Sequence, residues 1–545
     1  MDNNSNIDNS NETIKIEETN INNEPKKGSK KNKAPIVILI LVLLILIAGA
    51  VYYFVFYNKK EDNVKSINTN TNVEELSSEY RMSGNGLEDF DLAFMKLEND
   101  GQDMVYSPLS IKYALEMLAD ASEGESKAQI EAILGDYTSK KYVNSDNMSL
   151  ANALFVKDTY KTSIKDQYSS MLQDKYNAEL IYDSFNDAST INNWVSNKTF
   201  NLINNLLDDT TVSESYFQLV NALAIDMEWV NKIQNPDDDW YISYDHEDYG
   251  TGVSEYRNNS EFNEYTRFTF SNGKTVKDSN IGASINKYDI VSDKGEDNIR
   301  EYVGNLYQEW LDSEQCGPAE NQTPKDQFLD SYIDELNSNY NQIDSSTDFG
   351  FYTDDDIKVF QKDLKEYNGT TLQYIGIMPI KEDLQTYVND ISSDSINSII
   401  NSIKPIELDS FTNNTITEVY GSIPHFNTVS ELDLISDLQS LGVTDIFEDG
   451  KADLSNLTDS KEVYIGNVNH KSNIEFTNDG IKAAAATAVG GKGSTGCEFD
   501  YLYEVPVEEI DLTFDKPYMY IIRDKDTGEV WFAGTVYNPT EVPTK

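Results

Sequence analysis

Histidine and cysteine are nearly missing from this chain of 545 residues, which carries three histidines, His246, His425 and His470, and two cysteines, Cys316 and Cys497. So few imidazoles and thiols leave little from which to build a metal centre or a histidine-based nucleophile. No Gly-x-Ser-x-Gly, His-Glu-x-x-His, phosphate loop or Gly-x-Gly-x-x-Gly after a strand is present, and His470 with a distant serine has no supporting motif. Two cysteines do not make a disulfide framework: free thiols are the default, and a Cys316–Cys497 bridge is the alternative that an outward location permits. Positive charge is scarce as well. With 43 basic against 94 acidic residues, a net charge of −51, the bulk of the chain repels nucleic acid, and no nucleic-acid partner is expected. At this acidity Glu116 with Glu123, or Asp354, Asp355 and Asp356, read as solvated surface, the last a loose calcium site at most.

A long apolar run is present once. Residues 35–57, from Pro35 through Phe56 to Tyr57, carry no charge and are long enough to span a bilayer, which takes about 20 residues. The run exceeds the roughly 7–15 residue core of a cleaved signal peptide, so an uncleaved transmembrane helix is expected. Lys26, Lys27, Lys30, Lys31 and Lys33 precede it and Lys59 and Lys60 directly follow. The positive-inside bias therefore places residues 1–34 in the cytoplasm, as a tail too polar to order, and the remainder outside a single-pass cell-membrane anchor. Residues 58–84 read as a polar linker.

From residue 85 to 541 the texture is globular, interrupted at about 236–350 by an acidic stretch with helical pieces at Ile299–Leu311 and Gln327–Leu336. Ser107 before Pro108 marks a helix start, a capping residue followed by proline at the first helical position. Strands are predicted at Ala151–Val156, Leu372–Met378 and Val463–Val468, and a hairpin at Tyr518–Tyr537 turning through Asp524–Gly528. Ile191–Val195, with Ile203 and Leu206, reads as a helix. Tyr216–Ile225 is too apolar for an edge and is placed centrally. Strands with segregated helices argue for α+β.

One segment conflicts with itself. Gly480-Ile481-Lys482-Ala483-Ala484-Ala485-Ala486-Thr487-Ala488-Val489 joins strong helix formers to β-branched residues and runs into Gly490-Gly491-Lys492-Gly493-Ser494-Thr495. Such conflict marks a stretch able to adopt more than one state.

Together, Ser107-Pro108-Leu109-Ser110-Ile111, Ala151-Asn152-Ala153-Leu154-Phe155, Leu219-Val220-Asn221-Ala222, Trp229, Val468-Asn469-His470-Lys471 and Phe514-Asp515-Lys516-Pro517-Tyr518 resemble the serpins. The resemblance covers roughly 85–235 and 351–541. It implies a large central mixed β-sheet with two smaller sheets and eight to nine helices, and a protease inhibitor rather than an enzyme, with no cofactor. A serine or cysteine protease would cut an exposed reactive loop, which then inserts into the central sheet with the protease still attached. The hinge would be Gly480, Ile481, Lys482, Ala483, Ala484, Ala485, Ala486 and Thr487. By alternation Ile481, Ala483, Ala485, Thr487 and Val489 face the core after insertion, and none is charged. Resemblance further implies a shutter of Ser107, Ser110, Asn221 and His470 and a breach at Trp229. Counting the hinge from Asn478 puts the scissile bond at Ser494–Thr495, whereas counting back from Pro517 puts it near Pro506. Lys492, Cys497, Phe499, Tyr501 and Leu502 are alternatives. A non-inhibitory serpin, acting as an extracellular binding or adhesion module, is the other function the acidic insertion favours.

Overall fold

The computed structural model describes residues 80–84, 86–233, 278–313, 317–345, 348–411, 415–477, 480–481, 499, 501, 503 and 505–539. The predicted transmembrane helix and both cysteines lie outside these; among the described residues no helix is long and apolar enough to cross a membrane.

Continuous apolar runs become strands covered on both faces. Leu372–Pro379, Tyr518–Asp524 and Val530–Val536 are buried along almost their whole length. They form the middle of a seven-stranded sheet in the order Met104–Tyr106, Val530–Val536, Tyr518–Asp524, Leu372–Pro379, Ile357–Asp363, Gly350–Thr353, Lys404–Pro405. Every pairing in it is antiparallel. The predicted hairpin is here, with a register shift between Ile522 and Arg523. Gly534 sits where a Cβ would lie 2.1 Å from the Met104 carbonyl oxygen, so the edge strand can close on it only because the side chain is absent.

A four-stranded sheet runs Val507–Asp511, Thr415–Pro424, Asp278–Lys287, Asn341–Ser345, its first pair parallel and the others antiparallel. Two of its strands come from the acidic stretch at 236–350. Ile281, Ala283 and Ile285 alternate inward along Asp278–Lys287, an alternation that the short apolar runs of that region concealed. What stands apart is the helical piece between these two strands, Ile290–Lys294, Glu296–Ser313 and Lys325–Asn339.

Five further expectations are corrected. The mixed central sheet is not continuous among the described residues: it consists of Glu179–Asp183, Met148–Lys157 and Phe217–Ile225 on one side and Phe426–Asp433 with Asn469–Phe476 on the other. Among the described residues Phe217–Ile225 is consequently an edge rather than a central strand. Twelve α-helices are present among the described residues, against the eight to nine expected, and the three additional ones belong to the insertion. Val463–Val468 is not a strand, since the ladder starts only at Asn469. The helix at Ser189–Lys198 ends before Ile203 and Leu206, because Phe200 and Asn201 take left-handed backbone angles of 53° and 63°.

Asp91 on the first described helix, Asp89–Leu97, meets Lys112 of the helix Pro108–Ala121 at 2.7 Å, both fully buried. Glu529, beside the hairpin turn, lies 3.0 Å from the same ammonium. Burial pushes the Asp91 carboxyl up to about 6 against the pull of Lys112. Burial alone would lower Lys112, but Asp91 and Glu529 together raise it. Removing one partner of such a pair leaves an uncompensated charge in the core. Lys112→Ala is predicted to destabilise the protein by about 3–5 kcal/mol, read as a shift of the denaturant midpoint. The double variant Lys112→Met with Asp91→Leu should recover most of that loss.

Candidate functional site

Strands seek partners on both edges, because each backbone carries donors and acceptors that need them. Phe217–Ile225 and Asn469–Phe476 each have one paired edge and one open edge among the described residues. At one end of the slot between them, the Gln218 amide nitrogen stands 3.4 Å from Asn467 Oδ1. A cavity of about 540 Å³ opens there, lined by Leu219, Val220 and Asn221 from one strand and by Val468, Asn469 and His470 from the other side.

The opposite end is closed by the hinge itself. Gly480 pairs antiparallel with Glu228 and Ile481 with Met227. Thr477 N–H donates to the Gly480 carbonyl at 3.0 Å. A Cβ at Gly480 would fall 2.5 Å from the Met227 oxygen and 2.6 Å from Glu228 Cα, so this entry needs glycine. Trp229 follows directly and is fully buried; its indole N–H donates to the Thr477 carbonyl at 2.9 Å, and its ring meets Phe476 and Tyr374 edge-on. Glu228 pairs with Lys365.

Beneath the slot lies the first turn of the helix Pro108–Ala121, capped as expected: Ser110 N–H donates to Ser107 Oγ at 3.1 Å. That turn touches both open strands. Ser110 Oγ donates to Asn221 Oδ1 on one of them. Ser107 N–H donates to His470 Nε2 at 2.9 Å on the other. Asn221 Nδ2 continues to Asn152 Oδ1 at 2.7 Å, and Asn152 Nδ2 to the Tyr176 carbonyl at 3.0 Å. Ser472 Oγ lies 3.0 Å from His470 Nε2. Because Nε2 accepts from a backbone N–H, His470 is held neutral with its proton on Nδ1, and burial lowers its pKa to about 4. Ser472 and His470 are two residues apart on one buried strand, so this contact serves packing and not nucleophilic attack.

The structure thus brings Ser107, Ser110, Asn221 and His470 into one network and sets Trp229, Gly480 and Ile481 at its far end. Asn152 and Ser472 belong to the same network and went unassigned in the sequence. Asn152 had a signal, a lone amide inside the apolar run Ala151–Val156. Lys482 to Thr487, Lys492, Ser494, Thr495, Cys497 and Leu502 lie outside the described residues. Phe499 and Tyr501 are half-buried, packed on the helical insertion. Glu116 is not solvated surface: it is buried, with Ser139 N–H donating to it at 3.3 Å, and burial raises its pKa.

A sequence profile of the family described as "Serpin (serine protease inhibitor)" matches residues 90–241 and 321–539. Leukocyte elastase inhibitor A of Mus musculus is 32% identical over 192 residues, 35% of this chain and 46% of that protein. The human leukocyte elastase inhibitor is 31% identical over 175 residues, 32% of this chain and 42% of that protein. The chain thus aligns with less than half the length of these curated relatives. The native-state crystal structure of tengpin, a thermophilic serpin, superposes with a TM-score of 0.54 at 21% identity over 86% of this chain and 95% of that one, a likeness of fold.

The neutral, buried histidine makes stability depend on pH. Its pKa falls from 6.5 in the unfolded chain to about 4 in the fold, so the unfolded state takes up the proton first as pH drops. Its contribution is constant above about pH 6.5 and turns against folding between there and pH 4, by up to roughly 3 kcal/mol. Denaturant unfolding of the wild type and His470→Asn at pH 7.5, 6 and 5 should give a steeper loss for the wild type; equal slopes would rule the neutral histidine out.

Proposed function

The chain belongs to the serpin family, and from that membership we propose that it inhibits a serine or cysteine protease as a suicide substrate, the cut reactive loop entering the slot between Phe217–Ile225 and Asn469–Phe476. The observation that carries this reading is the state of the slot. Both facing edges lack a strand partner among the described residues, and the hinge has taken the first two positions, Gly480 and Ile481, against Met227 and Glu228. A strand continuing from there pairs with an edge on each side, the mode by which an added strand gains main-chain hydrogen bonds. The residues that follow suit that place: with alternation from Ile481, the inward set Ala483, Ala485, Thr487 and Val489 is small or apolar and uncharged. The shutter network supports the same reading, because it ties both strands to one helix turn and must rearrange for them to part. The scissile bond is proposed at Ser494–Thr495, about one strand length beyond the hinge.

Residues 35–57 are proposed as a single-pass anchor with residues 1–34 in the cytoplasm and the inhibitory domain outside. Alkaline extraction should leave the full chain in the membrane fraction and release a variant lacking residues 1–57.

Incubation of the full chain with a panel of serine and cysteine proteases should give an SDS-resistant adduct with at least one of them, and the cleaved protein should unfold at a higher temperature than the intact one. Ile481→Arg places a charge on the inward face at the entrance. It should abolish the adduct while cleavage persists. Cleavage without adduct or thermal gain in the wild type would favour the binding-module function instead.

A further inference from the structure

The helical insertion has a partner within the chain that the family fold does not require. Its two long helices, Glu296–Ser313 and Lys325–Asn339, pack through Ile299 and Val303 on one and Leu329, Ile333 and Leu336 on the other. Gly304 allows the close approach: a Cβ there would meet Lys325 Cε at 2.7 Å. Two helices cover only one stripe of each other, and the second stripe here is aromatic: Tyr302, Tyr307, Trp310, Phe328 and Tyr332. Phe328 and Tyr307 stack with ring centroids 3.9 Å apart.

That aromatic face is occupied by the far end of the reactive loop. Phe499 stands edge-on to Tyr307 and Phe328, each at 5.3 Å, and to Trp310 at 6.0 Å. Tyr501 meets Tyr302 at 5.6 Å, and Tyr332 donates its hydroxyl to the Tyr501 carbonyl at 2.5 Å. Tyr503 follows at 6.5 Å from Tyr302. Phe499, Tyr501, Tyr503 and Val505 all pack on the insertion's core and recur every second residue, the spacing of one face of extended chain. Beyond them Ile416 N–H donates to the Pro506 carbonyl at 2.9 Å, and Val507–Asp511 enters the four-stranded sheet. Phe499, Tyr501 and Tyr503 are therefore held by aromatic rings, and Val507–Asp511 by a ladder.

We propose that the helical insertion is an anchor for the C-terminal part of the reactive loop, which withholds the bonds after Phe499, Tyr501 and Tyr503 from proteases and confines cleavage to residues before Phe499. A protease binds its substrate as an extended strand whose alternate side chains fill pockets. Here those side chains already pack against the rings of the insertion, and the Tyr501 carbonyl already accepts a hydrogen bond. The consequence is one of specificity. Taken as bare sequence, the loop offers aromatic residues only at Phe499, Tyr501 and Tyr503, the best bait for an enzyme with a hydrophobic primary pocket; with them docked, the bait reads Ala, Val, Lys, Gly and Ser.

This deepens the inhibitor reading and takes from it that the loop is protease bait, but its test reads only where the chain is cut. The full chain in detergent is treated separately with chymotrypsin, which cuts after aromatic residues, and with trypsin, and the fragments are mapped by mass spectrometry. In the wild type, trypsin should cut after Lys492 at least tenfold faster than chymotrypsin cuts after Phe499, Tyr501 or Tyr503. Phe328→Ala should raise the chymotryptic cuts at least tenfold and leave the Lys492 cut unchanged. Tyr332→Phe removes only the hydroxyl donor, keeps the ring in place, and should raise them severalfold; it carries the test if Phe328→Ala does not fold. Chymotryptic cleavage of the wild type as fast as tryptic, or no acceleration in either variant, would overturn the anchor. Absence of a protease adduct with this cleavage pattern intact would overturn only the inhibitor reading.

Discussion

Everything in this molecule turns on two strand edges that have no strand partner among the described residues. An exposed edge is a template for whatever extended chain reaches it, and most sheets blunt theirs with charge, proline or a cover. Phe217–Ile225 is mostly apolar, Asn469–Phe476 buries every second residue, and both face one slot. A strand of about nine residues laid between them would make backbone hydrogen bonds on both sides, each worth roughly 0.5–1.5 kcal/mol net. The total is on the order of 10 kcal/mol, comparable with the 5–15 kcal/mol that holds an ordinary domain together. Filling the slot would thus release free energy comparable with the fold's own stability, and the contacts around it are what would regulate that step.

The regulation is local and polar at one end, local and steric at the other. Ser107 and Ser110 reach the two strands from a single helix turn, so the strands cannot separate without exchanging those hydrogen bonds. A neutral imidazole is needed for one of them, and burial keeps His470 neutral. At the hinge the controlling feature is the missing side chain of Gly480, which lets backbone meet backbone beside the buried Trp229. The loop's other end is fixed by a different chemistry, stacked aromatic rings on a helix pair. The loop is therefore tethered at both ends by contacts of unlike kind, one a hydrogen-bonded pairing and one apolar packing.

Much of the fold could be recognised in the sequence because the signals are local. Ser107-Pro108 states a cap and a first turn, and the cap is there. The hairpin around Asp524–Gly528 and the helices at 296–313 and 325–339 follow from turn residues and periodicity within a few positions. Where the sequence misleads, the cause is long-range. Val463–Val468 has strand composition but no neighbour to pair with until Asn469. Phe217–Ile225 is apolar enough to be central, yet among the described residues it is an edge, paired only with Met148–Lys157. Asn152 and Ser472 look like ordinary strand residues until Asn221 and His470, 69 and two positions away, are brought beside them.

Composition alone determined that this protein has little with which to do metal or histidine chemistry, and alternation alone determined that Ile481 to Val489 can lie against an apolar core, since both depend only on which residues stand at which parity. Family membership was likewise written in short motifs. Which residues share a network, which edges stay open and where the aromatic residues after Cys497 lie were decided by tertiary structure. Phe499 and Tyr501 are the clearest case: in the sequence they stand as exposed aromatic residues, and only the fold packs them against a helix pair some 170 to 200 residues earlier. The physical reason is that burial and pairing are properties of neighbours in space, and a sequence specifies those neighbours only through the fold.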